Sequence, residues 1–508
     1  MELAISRASG LLTCAACACL VALGAACAPG LPGVYGVPAT SPAPSEGWTP
    51  PARVLADTSG APPAAATAVP PDLAGRLQRL TLGDVIDIAL RNNRATRVTW
   101  AGARAAAASY GSARGSYLPT VDFDATATRV KTVATQGRSA VEQKLYSPGV
   151  NLSYLVFDFG GRSGSVDAAR QALVAADFTH NATLQDVVLQ VEQAYFIYVA
   201  NQALVDARQA TLAEARTNLE AAEERHRVGL ATIADVLQAR TAVSQAQLDA
   251  QSTEGDLLTA RGALALSLGL PANLDYDVEV EPGSYATVGL VADSVEALIE
   301  RAVRERPDLA AARAQVREAR AQVRSARAAR LPSLALSGTG ERTYSASLPE
   351  GDYAYNVSLG LQIPLFSGFS REYEQRRAEA EAEAAAAQAE GLEQQVVYEV
   401  FSSYYMLQTA TRRVHTADEL MASARQAADV ALGRYRAGVG SILDLLAAQS
   451  ALASARAQRV QGRLEWYTSL AQLARDAGAL DARGQSDLRV VPDSTAVPPD
   501  STAAGASP

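Results

Sequence analysis

The chain repeats itself, and whatever it folds into must be built twice. Ser112-Ala-Arg-Gly-Ser-Tyr-Leu-Pro119 recurs as Ser325-Ala-Arg-Ala-Ala-Arg-Leu-Pro332, an offset of 213 residues. Further along the offset is 209: Arg225, Arg227, Gly229, Ile233, Asp235, Leu237 and Ala239 return as Arg434, Arg436, Gly438, Ile442, Asp444, Leu446 and Ala448. Seven ungapped identities in fifteen positions mark a duplication. The change of offset falls between Pro119 and Phe157, so the halves differ in one connecting loop.

Each half reads in the same order. An Ala/Arg-rich helix, expected over about 82–116 and 294–329, runs to a Leu-Pro pair, where proline turns its predecessor away from helix. The residues that follow alternate. Val121, Phe123, Ala125 and Ala127 interleave with Asp122, Asp124, Thr126 and Thr128, and Val150, Leu152, Tyr154 and Val156 return. In the second half Tyr353, Tyr355, Val357, Leu359, Leu361 and Ile363 alternate with Ala354, Asn356, Ser358, Gly360 and Gln362. A period of two means strands with one apolar and one polar face.

A very long helix follows each strand pair. Leu184, Val191, Tyr198, Val205, Leu212 and Leu219 recur every seven residues, as do Val400, Leu407, Val414, Met421, Ala428 and Tyr435. That repeat makes helices supercoil around neighbours. Each helix is expected to stop on Gly229 or Gly438 and fold back, through a capping box at Thr232/Asp235 or Ser441/Asp444. Ile233/Leu237 and Ile442/Leu446 read as the buried pairs of the two tips.

Strands of about ten residues with opposed apolar and polar faces suit an outer-membrane barrel. Four strands per chain cannot close one, and an open edge in lipid is costly. Other copies must complete it: two give eight strands and three give twelve.

These parts resemble the TolC-like outer-membrane efflux protein family over about residues 80–480. The landmarks are the Leu-Pro junctions, Val156-Phe157-Asp158 with Gly160-Gly161-Arg162, Pro364-Leu-Phe-Ser-Gly368, and Arg434-Tyr-Arg-Ala-Gly438 with Asp444-Leu-Leu. The resemblance implies a mainly α protein with membrane β: a homotrimer whose 12-stranded outer-membrane β-barrel continues into a long periplasmic α-helical barrel. It also implies a periplasmic adaptor and an inner-membrane transporter as partners, and a place in the outer-membrane lipid. Some members carry an acidic residue one turn after the tip aspartate, where this chain has Gln238 and Ala447.

The domain reading is then a signal peptide at 1–28, a Pro/Ala-rich linker at 29–75, a first repeat at 80–270, an inter-repeat segment at 271–293, a second repeat at 294–480 and a flexible tail at 482–508. All four cysteines lie in the first 27 residues, which leaves none for a disulfide framework beyond them. Leu23-Gly-Ala-Ala-Cys27 resembles a lipoprotein cleavage site with leucine one place early, so Cys27 is either a lipidation site or a spectator in an ordinary signal. Beyond the signal no apolar run reaches the length of a membrane helix.

Candidate functional residues cluster at the tips. Arg225, Arg227, Arg434 and Arg436 are expected to pair with carboxylates between neighbouring hairpins. Asp235 and Asp444 read first as helix caps and second as gate or adaptor contacts. Gly440, standing where repeat one has Ala231, is expected to make the second hairpin the more mobile one. Asp122 and Asp124 are expected to face the barrel lumen, and they read first as the plain polarity that water on that face requires and second as a weakly cation-favouring pore.

Catalysis has no support. His180, His226 and His415 lack metal-ligand spacing, and neither a phosphate loop nor a nucleophile turn is present, so no cofactor is expected. A net charge of -9 argues against a nucleic-acid partner. Two other readings stand beside the efflux channel: the duct of a type I protein secretion system, and a periplasmic coiled-coil adaptor or scaffold. The duplicated strand pairs argue against the last.

Overall fold

The computed structural model describes residues 80–131, 142–278, 288–345, 348–480 and 488–492. The signal, the linker and Cys27 lie outside them. In chain order the first half holds α1 (Leu82–Asn92), α2 (Arg94–Gly115), β1 (Thr120–Lys131), β2 (Glu142–Phe157), α3 (Gly161–Arg227) and α4 (Ile233–Ser267). After β3 (Gly289–Val291), the second half repeats the order as α5 (Val295–Glu305), α6 (Pro307–Ala328), β4 (Ser333–Ser345), β5 (Leu348–Gln362), α7 (Ser370–Arg436) and α8 (Ile442–Asp476). β6 (Val490–Pro492) pairs antiparallel with β3.

Two expectations need correcting here. The first helix of each half is broken, at Asn93 and at Arg306, positions 213 apart. The Asn93 side chain caps α2 by accepting from the Ala95 amide at 2.8 Å. In the second half Pro307 begins α6 and holds Arg306 extended. The segment expected as a tail contains β6, because Leu488 is buried and Val490 and Val491 have β3 to pair with.

α3 and α7 are each 67 residues long, about 100 Å at 1.5 Å per residue. Their heptad stripes are the packing faces: Val191, Tyr198, Val205, Val400, Leu407, Val414, Ala428 and Tyr435 are all buried. α4 packs on α3, α8 packs between α3 and α7, and α6 lies against both long helices. Small residues permit the close approach, as in the α4 stripe Ala239, Ala246, Thr253, Ala260 and Ser267. The main core gathers Val187, Val191, Tyr195, Val400, Leu407 and Trp466. The Trp466 indole, fully buried, donates to Thr411 Oγ1 at 3.1 Å and to the Gly289 carbonyl at 3.3 Å, which ties β3 to the helices.

The strands form one antiparallel sheet in the order β1-β2-β4-β5, with β1 and β5 as open edges. Each strand-to-helix junction uses two consecutive left-handed residues at equivalent places: Phe159 and Gly160, then Gly368 and Phe369. An arginine rivets each junction. Arg162 Nη1 donates to the Leu155 carbonyl at 2.6 Å, and its counterpart Arg371 Nη1 donates to the Ala329 carbonyl at 2.6 Å.

Candidate functional site

α3 ends in a left-handed Gly229 (φ +78°), and the Leu230 amide donates to the Arg225 carbonyl at 2.7 Å. α7 ends the same way at Gly438 (φ +76°), with Val439 N donating to Arg434 O at 3.0 Å. Both restarts are capping boxes. Asp235 accepts from the Thr232 amide at 2.8 Å while its own amide donates to Thr232 Oγ1 at 3.3 Å; Ser441 and Asp444 do the same at 3.4 and 3.1 Å.

The two tips touch through Arg225. Its Nη1 donates to the Tyr435 carbonyl at 2.6 Å, and its guanidinium lies 4.7 Å from the centre of the Tyr435 ring. Tyr435 is buried, its hydroxyl lacks a hydrogen-bond partner among the described residues, and burial pushes its pKa up. This corrects the expected carboxylate pairing. The first hairpin grips a carbonyl and a ring of the second, Arg227 pairs with Glu224 on its own helix, and Arg434 and Arg436 are exposed with no ion pair among the described residues. Nothing in the sequence pattern marked Tyr435 beyond its place in the heptad stripe.

Two further expectations at the tips fail. Gly440 has no left-handed backbone. A Cβ there would sit 2.9 Å from Arg434 Cβ and 3.1 Å from the Tyr435 amide, so the glycine serves close packing rather than a hinge. Ile442 is buried as expected, but Ile233 and Leu237 are more than half exposed. In the first tip Val236 and Ala239 face Ala222 instead. The tips therefore present Val228, Leu230, Ile233, Leu237, Val439 and Leu443 to solvent.

Above the tips the hairpins are joined by polar clasps. Arg456 of α8 holds Glu214 of α3 in a two-pronged contact at 2.8 and 3.2 Å, and Asn218 donates to Gln449 at 2.6 Å. Beside the main core Arg306, almost fully buried, bridges Asp308 and Glu399, while Arg475 bridges Glu399 and Asp186. Glu192 is buried on α3, and desolvation pushes its pKa up to about 7.

At the opposite end of α3 the sheet sorts its side chains by face. Val121, Phe123 and Ala125 pair across to Leu152, Val150 and Pro148. Those strands continue in register to Leu336, Gly338 and Gly340, and then to Leu359, Val357 and Tyr355. All of these share one face, and Phe123, Val357 and Leu359 are well exposed in the single chain. A bulge at the end of β2 sets Phe157, not Val156, opposite Leu334. The other face carries Asp122, Asp124, Asn151, Ser337, Thr339 and Ser358. There Asn151 donates to Asp124, and the Ser337 and Ser358 hydroxyls meet at 2.7 Å. Glu341 and Asp352, not singled out by the sequence pattern, lie on this polar face with Asp122 and Asp124. No helix among the described residues is long and apolar enough to cross a membrane.

The outer membrane efflux protein family profile matches residues 85–270 and 298–479, one match to each half. Protein CyaE of Bordetella pertussis is 32% identical over 425 residues, 83% of this chain and 88% of that protein. Outer membrane protein OprJ of Pseudomonas aeruginosa is 27% identical over 408 residues, 79% of this chain and 85% of that protein. A crystal structure of a membrane protein from Pseudomonas aeruginosa superposes with a TM-score of 0.71 at 27% identity, covering 78% of this chain and 93% of that one. With both halves matched, and with the strand faces and long helical hairpins in place, the chain belongs to the outer membrane efflux protein family and serves as an outer-membrane channel protein.

Proposed function

We propose that three copies of this chain form the exit duct of a tripartite efflux pump, taking substrate from an inner-membrane transporter through a periplasmic adaptor. The observation that carries this reading is the pairing of two features in each half: a strand pair with opposed faces and a 67-residue helix ending in a capped hairpin. The apolar face meets lipid and the face with Asp122, Asp124, Glu341 and Asp352 lines a water-filled, cation-favouring lumen. The hairpin tips form the periplasmic mouth. There Arg225 holds the two hairpins of a chain together, and the exposed Val228, Leu230, Ile233, Leu237, Val439 and Leu443 meet the adaptor. Asp235 and Asp444 act as caps that shape this surface. The duct performs no chemistry, so the driving energy comes from the transporter.

Purified protein in a planar bilayer should conduct ions with no nucleotide or proton gradient. Reversal potentials under a salt gradient should favour cations, and Asp122→Asn with Asp124→Asn should weaken that preference. A channel that is silent without an energy source would sink the passive-duct reading. Crosslinking in cells, followed by identification of the captured inner-membrane partner, separates efflux from protein secretion.

A further inference from the structure

Charge on the sheet is segregated as strictly as hydrophobicity. The pairing register places Asp122, Asp124, Glu341 and Asp352 on the polar face, and Arg129, Lys131, Lys144 and Arg342 on the apolar one. Glu142 is the one carboxylate the register sets on the apolar face, and Arg129 Nε donates to it at 2.6 Å. Three cations against one carboxylate leave the Arg129, Lys131, Lys144 and Glu142 group with a net charge of +2.

Depth along the strands explains the placement. The helices join at one end of the sheet, so the far end points away from the helical portion. From that helical end the apolar face runs through Leu361, Leu359 and Val357 to a belt of tyrosines, Tyr355, Tyr353, Tyr344 and Tyr146. Leu361 to Tyr353 is nine residues, and a tilted membrane strand needs about 9–11. Aromatic belts mark the level of a membrane interface. On β1 and β2 the next cross-strand pairs beyond Ala127 and Tyr146 are Arg129 with Lys144 and Lys131 with Glu142. Arg342 reaches the same way: its guanidinium lies 5.4 Å from the Tyr344 ring centre, and Nη2 donates to the Glu350 carbonyl at 2.7 Å. The cations thus stand on the lipid side, just outside the hydrocarbon, where a bilayer presents its headgroups.

We propose that Arg129, Lys131 and Lys144 form a binding site for the phosphate groups of the outer-leaflet lipid. The proposal rests on the reading of the apolar face as lipid-facing. Lysine ammonium groups act as point charges for phosphate oxygens, and Arg129, braced by Glu142, fixes one donor fork beside them. The carboxylates on the opposite face disfavour soluble anions in the lumen, so anion recognition is confined to the lipid side. Acyl chains of the bound lipid then cover Phe123, Val150 and the tyrosine belt.

The test uses the full chain in neutral detergent and native mass spectrometry. A bisphosphorylated glycolipid, lipid A, is titrated beside the same lipid stripped of its phosphates. Wild type should retain the phosphorylated form at about tenfold lower concentration. Lys131→Gln with Lys144→Gln, both outside any buried core, should assemble normally and lose that preference. Equal retention of both lipids by wild type overturns the proposal, as does an unchanged preference in the variant. Displacement of the lipid by millimolar inorganic phosphate would show a free-anion site and also overturn it. If wild type fails to enter neutral phosphatidylcholine vesicles, the lipid-facing assignment itself is wrong and the proposal falls with it.

Discussion

Arg225 and Tyr435 join the two hairpins at their tips. The guanidinium loses water to reach a carbonyl and a ring face, and charge-assisted bonds of this kind are worth about 1.5–3 kcal/mol. Arg225→Ala should therefore loosen the tips. Amide exchange at Arg434–Ser441 should speed up, and bilayer conductance should rise. Tyr435→Phe removes a buried hydroxyl that has no partner among the described residues, and it leaves the carbonyl in place. It should change little, because deleting an unsatisfied polar atom costs nothing in bonding. Equal effects from both variants would mean that the Tyr435 hydroxyl, not the carbonyl bond, joins the hairpins. At this scale the sequence was legible wherever a rule is local. The capping boxes and left-handed glycines follow from residue type and spacing. The partner of Arg225 is 210 positions away and is a backbone carbonyl, which every residue has, so no pattern of side chains could point to it. Gly440 misled for a related reason. A glycine needed for its missing Cβ and one needed for its freedom are the same letter, and only the 2.9 Å approach of Arg434 tells them apart.

Each element type shows one rule being tested against its surroundings. In the sheet, alternation alone fixes the faces, because a period of two survives any register that pairs like with like. Leu359→Arg puts a cation on the lipid side, at a cost of about 2–4 kcal/mol near the midplane, whereas Ser358→Arg enters the lumen. Oligomer yield after membrane insertion should fall for the first and hold for the second. The helices were legible as heptads, and both breaks were not. The Arg306-Pro307 pair carries a proline signal, while Asn93 is a cap only because the chain bends there. Glu192 illustrates what heptad reading hides, since it adjoins Val191 of the stripe and is itself buried. Its folded pKa of about 7 lies above its ordinary value of 4.5. A carboxyl that holds its proton more tightly when folded stabilises nothing above that range. As pH rises from about 4.5 to 7, folding loses free energy, up to about 3 kcal/mol for such a shift. Glu192→Gln should therefore raise the melting temperature at pH 8 and leave it nearly unchanged at pH 4. A gain equal at both pH values would show that folding does not raise the pKa of this carboxyl.

The duplication says how whole chains meet. Within one chain α6 touches two long helices. Leu309, Val316 and Val323 form one side of it, and Ala314, Ala321 and Ala328 the opposite side, all buried. Ala328 approaches Gly161 at the start of α3, so the alanine side faces the long helix of the preceding half, and the Leu/Val side is left for α7, the long helix of its own half. Subtracting 213 carries both sides onto α2. Thr96, Ala103 and Tyr110 take the first, and Thr96 and Ala103 are buried as α2 packs on α3. Ala101, Ala108 and Gly115 take the second and are exposed, because no half precedes the first among the described residues. In the proposed three-copy duct the missing half is the second half of another copy, on whose α7 the counterpart of Gly164, Tyr373, is exposed in the single chain. Such a head-to-tail contact repeats until it closes a ring, and the same operation brings β1 of one copy toward the free β5 edge of the next. Four strands per chain then make twelve for three copies, wide enough for a watery lumen where eight would be filled by side chains. Ala108→Trp should block this seam and leave monomers, while Ser109→Trp, whose counterpart Gln322 is exposed, should still assemble. Native mass in detergent decides it: a trimer from Ala108→Trp would mean that α2 does not form the seam, and a stable wild-type monomer would end the ring argument altogether.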